Sequence, residues 1–474
     1  MAVSDRHKDY TKHEFEWARI RDAVAGEDAV KRAQTSHLPK PSGQSDFEYH
    51  QYLQRAMFYG ASGRTVQGLL GAIFRKPPMI DIPRQLELAA DNITLTGVDL
   101  ETFAKGVCEE VISMGRYGIL VDRSTEAEVN RPYLRGYSCE SIINWRTRNV
   151  GGVVMLDQVI LQEEDEVPAS DGFGSEYRLI YRVLLLDDDG YYKVCLYTET
   201  QSSAGERGFR VLDEYTPTNR GERLRFIPFQ FVSHVGLTPD YEKSPILDLV
   251  NVNMSHYRTT ADLEQANYLT SQPTPYITNM RSDLMDDYRI GSGSLWLLPE
   301  GSQVGMLEYQ GAGLTSLETS LNRKESMMAL LGARMLEDSR KVGETAETVR
   351  LRGSGESSIL ASISGTVSAA LTCCLEWMAA WENIAKAEPV IQLNKDFLDS
   401  RLSAQELTAL VSAWQMGAMP LDDLLYNLQR GEMLRPDYTI DEFRQILTEG
   451  SITEVSGQQM TLDEEQEETD QEAE

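Results

Sequence analysis

The apolar positions change their spacing several times along the chain, and each change predicts a different element. Phe15, Trp17, Ile20 and Val24 predict a short helix, and Leu38-Pro-Lys-Pro reads as a linker. Tyr52, Ala56, Tyr59, Leu69, Leu70 and Ile73 predict helix over residues 47–74, interrupted near Gly60 and Gly63 and stopped by Lys76-Pro-Pro. A further helix is expected over 99–114. Gly115 suits its C-terminal cap, and Tyr117-Gly-Ile-Leu-Val-Asp122 reads as a buried strand. Between 131 and 232 the pattern turns to short strands. The main candidates are 153–162, 177–186 and 191–197, with Asp187-Asp-Asp-Gly190 as the turn between the last two.

Longer periodic runs follow. Ser244-Pro245 reads as a cap and first turn, and Leu247, Val250, Met254, Tyr257, Ala261 and Tyr268 then continue a helix on the order of 40 Å long. Ser271-Gln-Pro273 ends it. Strand-like pieces at 275–278, 294–298 and 305–310 come next, with Pro299-Glu-Gly301 as a turn. Thr315-Ser-Leu-Glu318 has the form of a capping box, and Leu317, Leu321, Met328, Leu331 and Met335 stripe the helix it would open. After a polar interruption at 337–343, a third helix is expected over 344–386. Its stripe is Leu360, Ile363, Val367, Leu371, Cys374, Met378 and Trp381, with bends at Gly353, Gly355 and Gly365. Short helices are expected over 403–448.

Length and charge refine this picture. A chain of 474 residues is too long for one ordinary core and suggests two to four folding units. No uninterrupted apolar run approaches the roughly 20 residues of a membrane span, and the first residues have no apolar signal region, so neither membrane insertion nor secretion is expected. The net charge is -29. Residues 451–474 hold nine acidic residues and no Lys or Arg, and without them the body still carries -20. That tail has little to bury and is expected to be disordered. Such a chain repels nucleic acid on average, so tight sequence-specific DNA binding is not expected.

Catalytic patterns are missing from the sequence. It has no G-x-S-x-G, P-loop or H-E-x-x-H motif, and the six histidines have no i+3 or i+4 partner histidine. The five cysteines have no C-x-x-C spacing, so neither a disulfide framework nor a zinc site is indicated, and Cys374 reads as a core residue on its helical stripe. Asp187-Asp-Asp-Gly190 lacks the spacing and flanking helices of an EF-hand. No enzyme activity, metal or cofactor is expected.

Several phrases, in their order along residues 46–385, resemble the portal proteins of tailed double-stranded DNA bacteriophages. They are Tyr52-Leu-Gln-Arg-Ala-Met-Phe-Tyr59, Gly71-Ala-Ile-Phe-Arg-Lys-Pro-Pro78, Gly115-Arg-Tyr-Gly-Ile-Leu-Val-Asp122, Ile142-Ile-Asn-Trp145, Leu331-Gly-Ala-Arg-Met-Leu336 and Glu344-Thr-Ala-Glu347. The series of long helix, small β insertion, returning helix, polar loop and third helix resembles the portal fold as well.

The resemblance implies an α+β portal fold with an α/β wing, a two-helix stem, a small β-rich clip and a helical crown. The segments it implies are an N-terminal arm (1–45), wing (46–243), first stem helix (244–270), clip (271–313), second stem helix (314–336), tunnel loop (337–343), long wing helix (344–400), crown (401–450) and acidic tail (451–474). It also implies a ring of identical subunits, usually dodecameric, at one capsid vertex of the virion, assembled in the host cytoplasm. Partners would be double-stranded DNA passing without sequence readout, the large terminase, head-completion or adaptor proteins, and the major capsid protein. Clip contacts would fall on Asp283, Asp286, Asp287 and Arg289. The DNA-facing loop would comprise Glu337, Asp338, Ser339, Arg340, Lys341, Val342 and Gly343. There Arg340 and Lys341 would touch the phosphate backbone, and the acids would limit their grip. The competing readings are a capsid or adaptor subunit and an enzyme. The first does not need two long helices around a β insertion, and the second needs a clustered site.

Overall fold

The turn that joins helix to sheet is set by one glycine. In the computed structural model a helix from Leu100 to Met114 starts at Asp99, whose carboxylate accepts from the Thr102 amide at 2.8 Å. It ends at Gly115, which is left-handed at φ 80°, and a Cβ there would lie 3.1 Å from the Ser244 backbone. The buried strand Arg116–Arg123 follows at once.

Described are residues 2–123, 131–169, 173–201, 207–271, 274–279, 298, 300–307, 312–334, 359–384, 387–395, 397 and 404–430. The chain forms two units, Met1–Lys395 and Asp396–Glu474. In the first, the helices are α1 (Lys8–Ala25), α2 (Glu27–Arg32), α3 (Asp46–Arg55), α4 (Ala61–Ile73), α5 (Arg84–Ala90), α6 (Leu100–Met114), α7 (Leu247–Thr270), α8 (Ala312–Arg334) and α9 (Ile359–Trp381). The strands are β1 (Met79–Asp81), β2 (Arg116–Arg123), β3 (Pro132–Ser138), β4 (Ile142–Val150), β5 (Val153–Pro168), β6 (Ser175–Leu186), β7 (Tyr192–Gln201), β8 (Arg207–Tyr215), β9 (Thr218–Asn219), β10 (Glu222–Arg223), β11 (Phe229–Ser233), β12 (Thr274–Thr278), β13 (Gln303–Leu307) and β14 (Val390–Gln392). The architecture is α+β. In the second unit α10 (Ala404–Gln415) packs on α11 (Leu421–Arg430), where Leu424 and Leu425 are buried.

The core of the first unit forms around α9. Its whole expected stripe is buried, from Leu360 to Trp381, against the three-stranded sheet β11-β2-β3 and against α4 and α6. This helix is long and apolar enough to cross a bilayer by composition, but half of its most apolar stretch is buried inside the fold, as in a core helix. It runs without interruption through Gly365, where a bend was expected. The other sheet is an antiparallel meander in the order β4-β5-β6-β7-β8. The Asp187–Gly190 turn joins β6 to β7 as expected. Gly190 has φ 82°, and the Asp187 carboxylate accepts from the Asp189 and Tyr191 amides at 3.1 and 2.7 Å.

Two further local expectations are corrected. Gly63 does not interrupt a helix but lies inside α4, where a Cβ would stand 2.7 Å from the Val24 carbonyl oxygen, so it permits close approach to α1. Phe15 is 81% exposed, and the buried face of α1 is Tyr10, Trp17, Ile20 and Ala23. Through that face α1 packs on α4, α6 and α7.

Candidate functional site

The helix–hairpin–helix excursion from α7 through β12 and β13 to α8 is the segment on which the sequence places most of the function. Its start is anchored in the core. Ser244 does not cap α7. Its buried hydroxyl donates to the Ser113 carbonyl at 2.5 Å and accepts from the Ile246 amide at 3.3 Å, and the helix begins at Leu247. The site is therefore tied to the end of α6, next to the Gly115 turn.

The phrase Tyr52–Tyr59 supplies the support along α7. Tyr52 donates to Asp262 at 2.7 Å, and Arg55 donates to Gln265 at 2.6 Å and lies 4.0 Å over the Tyr268 ring. Phe58 meets the fully buried Tyr257 edge-on at 5.9 Å, and Tyr59 faces His256 at 5.6 Å. One short segment thus grips α7 from its middle almost to its end, because its aromatic and cationic side chains match a helical ladder of partners.

At the far end β12 and β13 pair antiparallel, from Thr274↔Leu307 to Thr278↔Gln303. Residues 275–278 were expected to be strand, and Gln303–Leu307 is the partner shown. Residues 294–297 lie outside the described residues. Gly305 stands opposite Tyr276, and a Cβ there would overlap the Tyr276 ring at 2.6 Å, so the ring lies across the glycine. The chain then turns back, and α8 begins at Ala312. Thr315 is already inside it, with its carbonyl accepting from the Thr319 hydroxyl at 2.8 Å, so Thr315-Ser-Leu-Glu318 does not open this helix. The box pattern describes a start but does not enforce one when the preceding residues also fit a helix.

The two helices meet through polar contacts. The Lys324 ammonium donates to the Ser255 carbonyl at 3.1 Å and to the Thr259 hydroxyl, and His256 Nε2 lies 3.3 Å from Glu325. Burial lowers the pKa of both Lys324 and His256, and for His256 it outweighs the carboxylate. The apolar stripe of α8 is only partly covered. Met328 is buried, Leu317, Leu321 and Leu331 are half-buried, and Met327 and Leu330 are exposed. Tyr268, Leu269, Tyr276, Val304 and Met306 are exposed as well. Among the described residues the excursion therefore carries exposed apolar surface.

The residues assigned to clip contacts, Asp283, Asp286, Asp287 and Arg289, lie outside the described residues. So do the loop residues Glu337, Asp338, Ser339, Arg340, Lys341, Val342 and Gly343, and with them the acidic tail.

The rest of the first unit holds buried ionic groups with structural roles. Arg182 donates to Glu163 at 2.7 Å and to the Tyr215 hydroxyl at 3.0 Å, and Arg135 reaches the same Glu163 at 3.0 Å. Burial works to raise the Glu163 carboxyl, but the two guanidiniums outweigh it and hold it low. Arg21 bridges Glu110 and Glu140 at 2.6 and 2.9 Å. Among the described residues no three His, Cys, Asp or Glu side chains are placed to hold a metal ion, and the cysteines are free.

Residues 245–382 match the family described as Domain of unknown function (DUF4055). The match covers the whole excursion and α9. Among solved structures, the chain is similar to one described as "Virion of native gene transfer agent (GTA) particle", with a TM-score of 0.39, 13% identity, and 86% of this chain and 96% of that chain covered. It is also similar to "Neck of native GTA particle computed with C12 symmetry", with a TM-score of 0.40, 12% identity, and coverage of 85% and 98%. No curated protein matches the chain.

Proposed function

We propose that this chain is a phage-type portal protein: a structural subunit, not an enzyme, that assembles into a closed ring and conducts double-stranded DNA. The observation that carries this reading is the excursion. Two long helices, joined by a small β hairpin, leave the core and present apolar side chains at Leu269, Tyr276, Val304, Met306, Met327 and Leu330 that their own chain leaves exposed. A two-stranded hairpin is marginal alone in water, and an apolar helix face needs a neighbour. A ring supplies that neighbour to every subunit. The ordered phrases that resemble portal proteins support the same assignment, and two of them map to structural tasks here, gripping α7 and making the α6–β2 turn.

In this reading α7 and α8 form the stem, and β12 and β13 belong to the clip, where the packaging motor and later the head-completion proteins dock. The acidic charge of the chain suits a conduit, because DNA has to move through it without being held by phosphate contacts. Arg340 and Lys341 provide local, sequence-independent contacts to the backbone, moderated by Glu337 and Asp338. The test is complementation with an Arg340→Ala/Lys341→Ala variant. It is expected to assemble normally and to alter packaging or retention of DNA. Normal assembly with normal packaging, retention and infectivity would remove both residues from the functional set.

A further inference from the structure

The five-stranded sheet carries opposite chemistry at its two ends. At one end the β5–β6 ladder continues to Pro168↔Ser175, past the last β6–β7 pair at Ile180↔Thr198, and forms a two-stranded arm. The register places Glu164 and Glu166 on one face of the arm, with Tyr177 directly across from Glu166. Both glutamates are exposed, Tyr177 is 69% exposed, and neither glutamate has an ion pair among the described residues. The opposite face is neutralised except at Glu176, which is exposed across from Val167. There Asp165 pairs with Arg178 at 2.6 Å, and Glu163 is buried with Arg182 and Arg135. Two of the arm's three exposed glutamates thus lie on the face that carries the exposed ring, and Glu176 lies on the other.

The other end of the sheet has the complementary character. Beyond the Asp187–Gly190 turn, Arg220, Arg223 and Arg225 line a cleft of about 590 Å³ with Leu224 and Phe226, and Glu222 is the one acidic residue among the lining residues. All three arginines are exposed. Tyr191 lies under Arg223 and Arg225, at 5.5 and 5.0 Å from ring centre to guanidinium, and its hydroxyl accepts from the Arg225 guanidinium at 3.1 Å. None of the three arginines forms an ion pair with a carboxylate among the described residues, in a chain with 74 acidic and 45 basic residues. An apolar groove adjoins the cleft at Phe226 and is lined by Val154, Leu156, Phe231 and Trp377.

We propose that the Glu164, Glu166 and Tyr177 face of the arm docks in the arginine cleft of a second copy of this chain. The glutamates meet Arg220 and Arg223, and Tyr177 lies toward the groove beside Phe226. The arm cannot fill its own cleft. Tyr177 and Leu186 stand at opposite ends of β6, about 30 Å apart at ~3.3 Å per residue. Because the two surfaces differ, the contact is head-to-tail. Repetition closes a ring if the rotation permits and otherwise gives a filament. Exposed ion pairs are individually weak, so the contact sets polarity and salt dependence more than total affinity. It does not depend on the DNA-conduit reading.

The experiment uses the full chain with two charge reversals at exposed positions, Arg220→Glu/Arg223→Glu and Glu164→Arg/Glu166→Arg, checked for native circular dichroism and melting. Sedimentation velocity is expected to show each variant self-associating at least about tenfold more weakly than the native chain at low salt. Mixed together, the two variants should associate in alternation about as well as the native chain, since every arm then meets a cleft of opposite charge. A chain carrying both reversals should associate like the native chain. That rescue also separates loss of the contact from loss of folding. Unchanged association of either variant, or a combined variant no better than its parents, would overturn the proposal. So would a cleft variant that loses binding to a short DNA duplex while self-associating normally. Rings that persist with either reversal leave the portal reading intact and remove this contact. Salt-sensitive open filaments rescued by the double reversal would keep the contact and remove the ring.

Discussion

His256 on α7 faces Glu325 on α8 with its Nε2 3.3 Å from the carboxylate, and the imidazole is buried while the carboxylate is half-exposed. The contact is therefore screened on one side, and desolvation decides the state of the ring. His256, His7 and His234 all have pKa values lowered from the ordinary value of 6.5, in each case chiefly by burial. Their neutral forms are the ones the fold accommodates.

The sign of the pH dependence follows. Above the ordinary histidine pKa both folded and unfolded chains hold these rings neutral, and stability is full. As pH falls below about 6.5 the unfolded chain takes up protons first, and stability is lost until the lower folded values are passed. Urea denaturation at pH 7.5 and 5.5 should show the lower stability at pH 5.5. His256→Gln should shrink that difference. A difference of unchanged size in the variant would mean that the other two histidines and the carboxylates carry it.

Two glycines of α4 make opposite predictions. A methyl group at Gly63 meets the Val24 carbonyl at 2.7 Å, whereas Gly68 has open space around its Cβ position. Gly63→Ala should destabilise the first unit by about 1–3 kcal/mol through overpacking. Gly68→Ala should stabilise it by about 0.5–1 kcal/mol, because glycine in a helix interior is less favourable than alanine. Chemical denaturation of both variants checks the pair.

Arg116 is fully buried between Trp145 and Phe231, 3.8 and 4.5 Å from the ring centres, and its guanidinium nitrogens have no hydrogen-bond partner among the described residues. Burial lowers its pKa to about 10. The aromatic faces offset part of the cost of the charge, and the rest makes the position tolerant of a neutral side chain of similar length. Arg116→Met should stay within about 1 kcal/mol of the native stability, and Arg116→Ala should lose about 2–5 kcal/mol through the cavity. Equal losses in both would show that the charge on the rings, not the volume, is what matters.

The parts of the fold that were legible in the sequence are those with strong local period. The stripe from Leu360 to Trp381 is buried as its spacing requires, and α6, Gly115 and β2 stand where cap and pattern place them. Helix starts were less legible. Ser244 looks like a cap but is used by the Ser113 carbonyl, and Thr315 looks like one but lies a turn inside α8. In both places a tertiary contact or an equally helical neighbour decides. The arginine cleft went unread although Asn219-Arg-Gly-Glu-Arg-Leu-Arg225 is a basic run in an acidic chain. The run becomes a site only when the end of α9 closes its other wall at Ala380, a relationship no local pattern encodes. The acidic face of the arm is hidden for the same reason, since it depends on the register between β5 and β6.

Electron microscopy of the purified full-length chain tests the central claim most directly. Closed rings of identical subunits around an open central hole are the predicted result. A population of compact monomers at micromolar concentration, or closed shells and sheets without a channel, would contradict it.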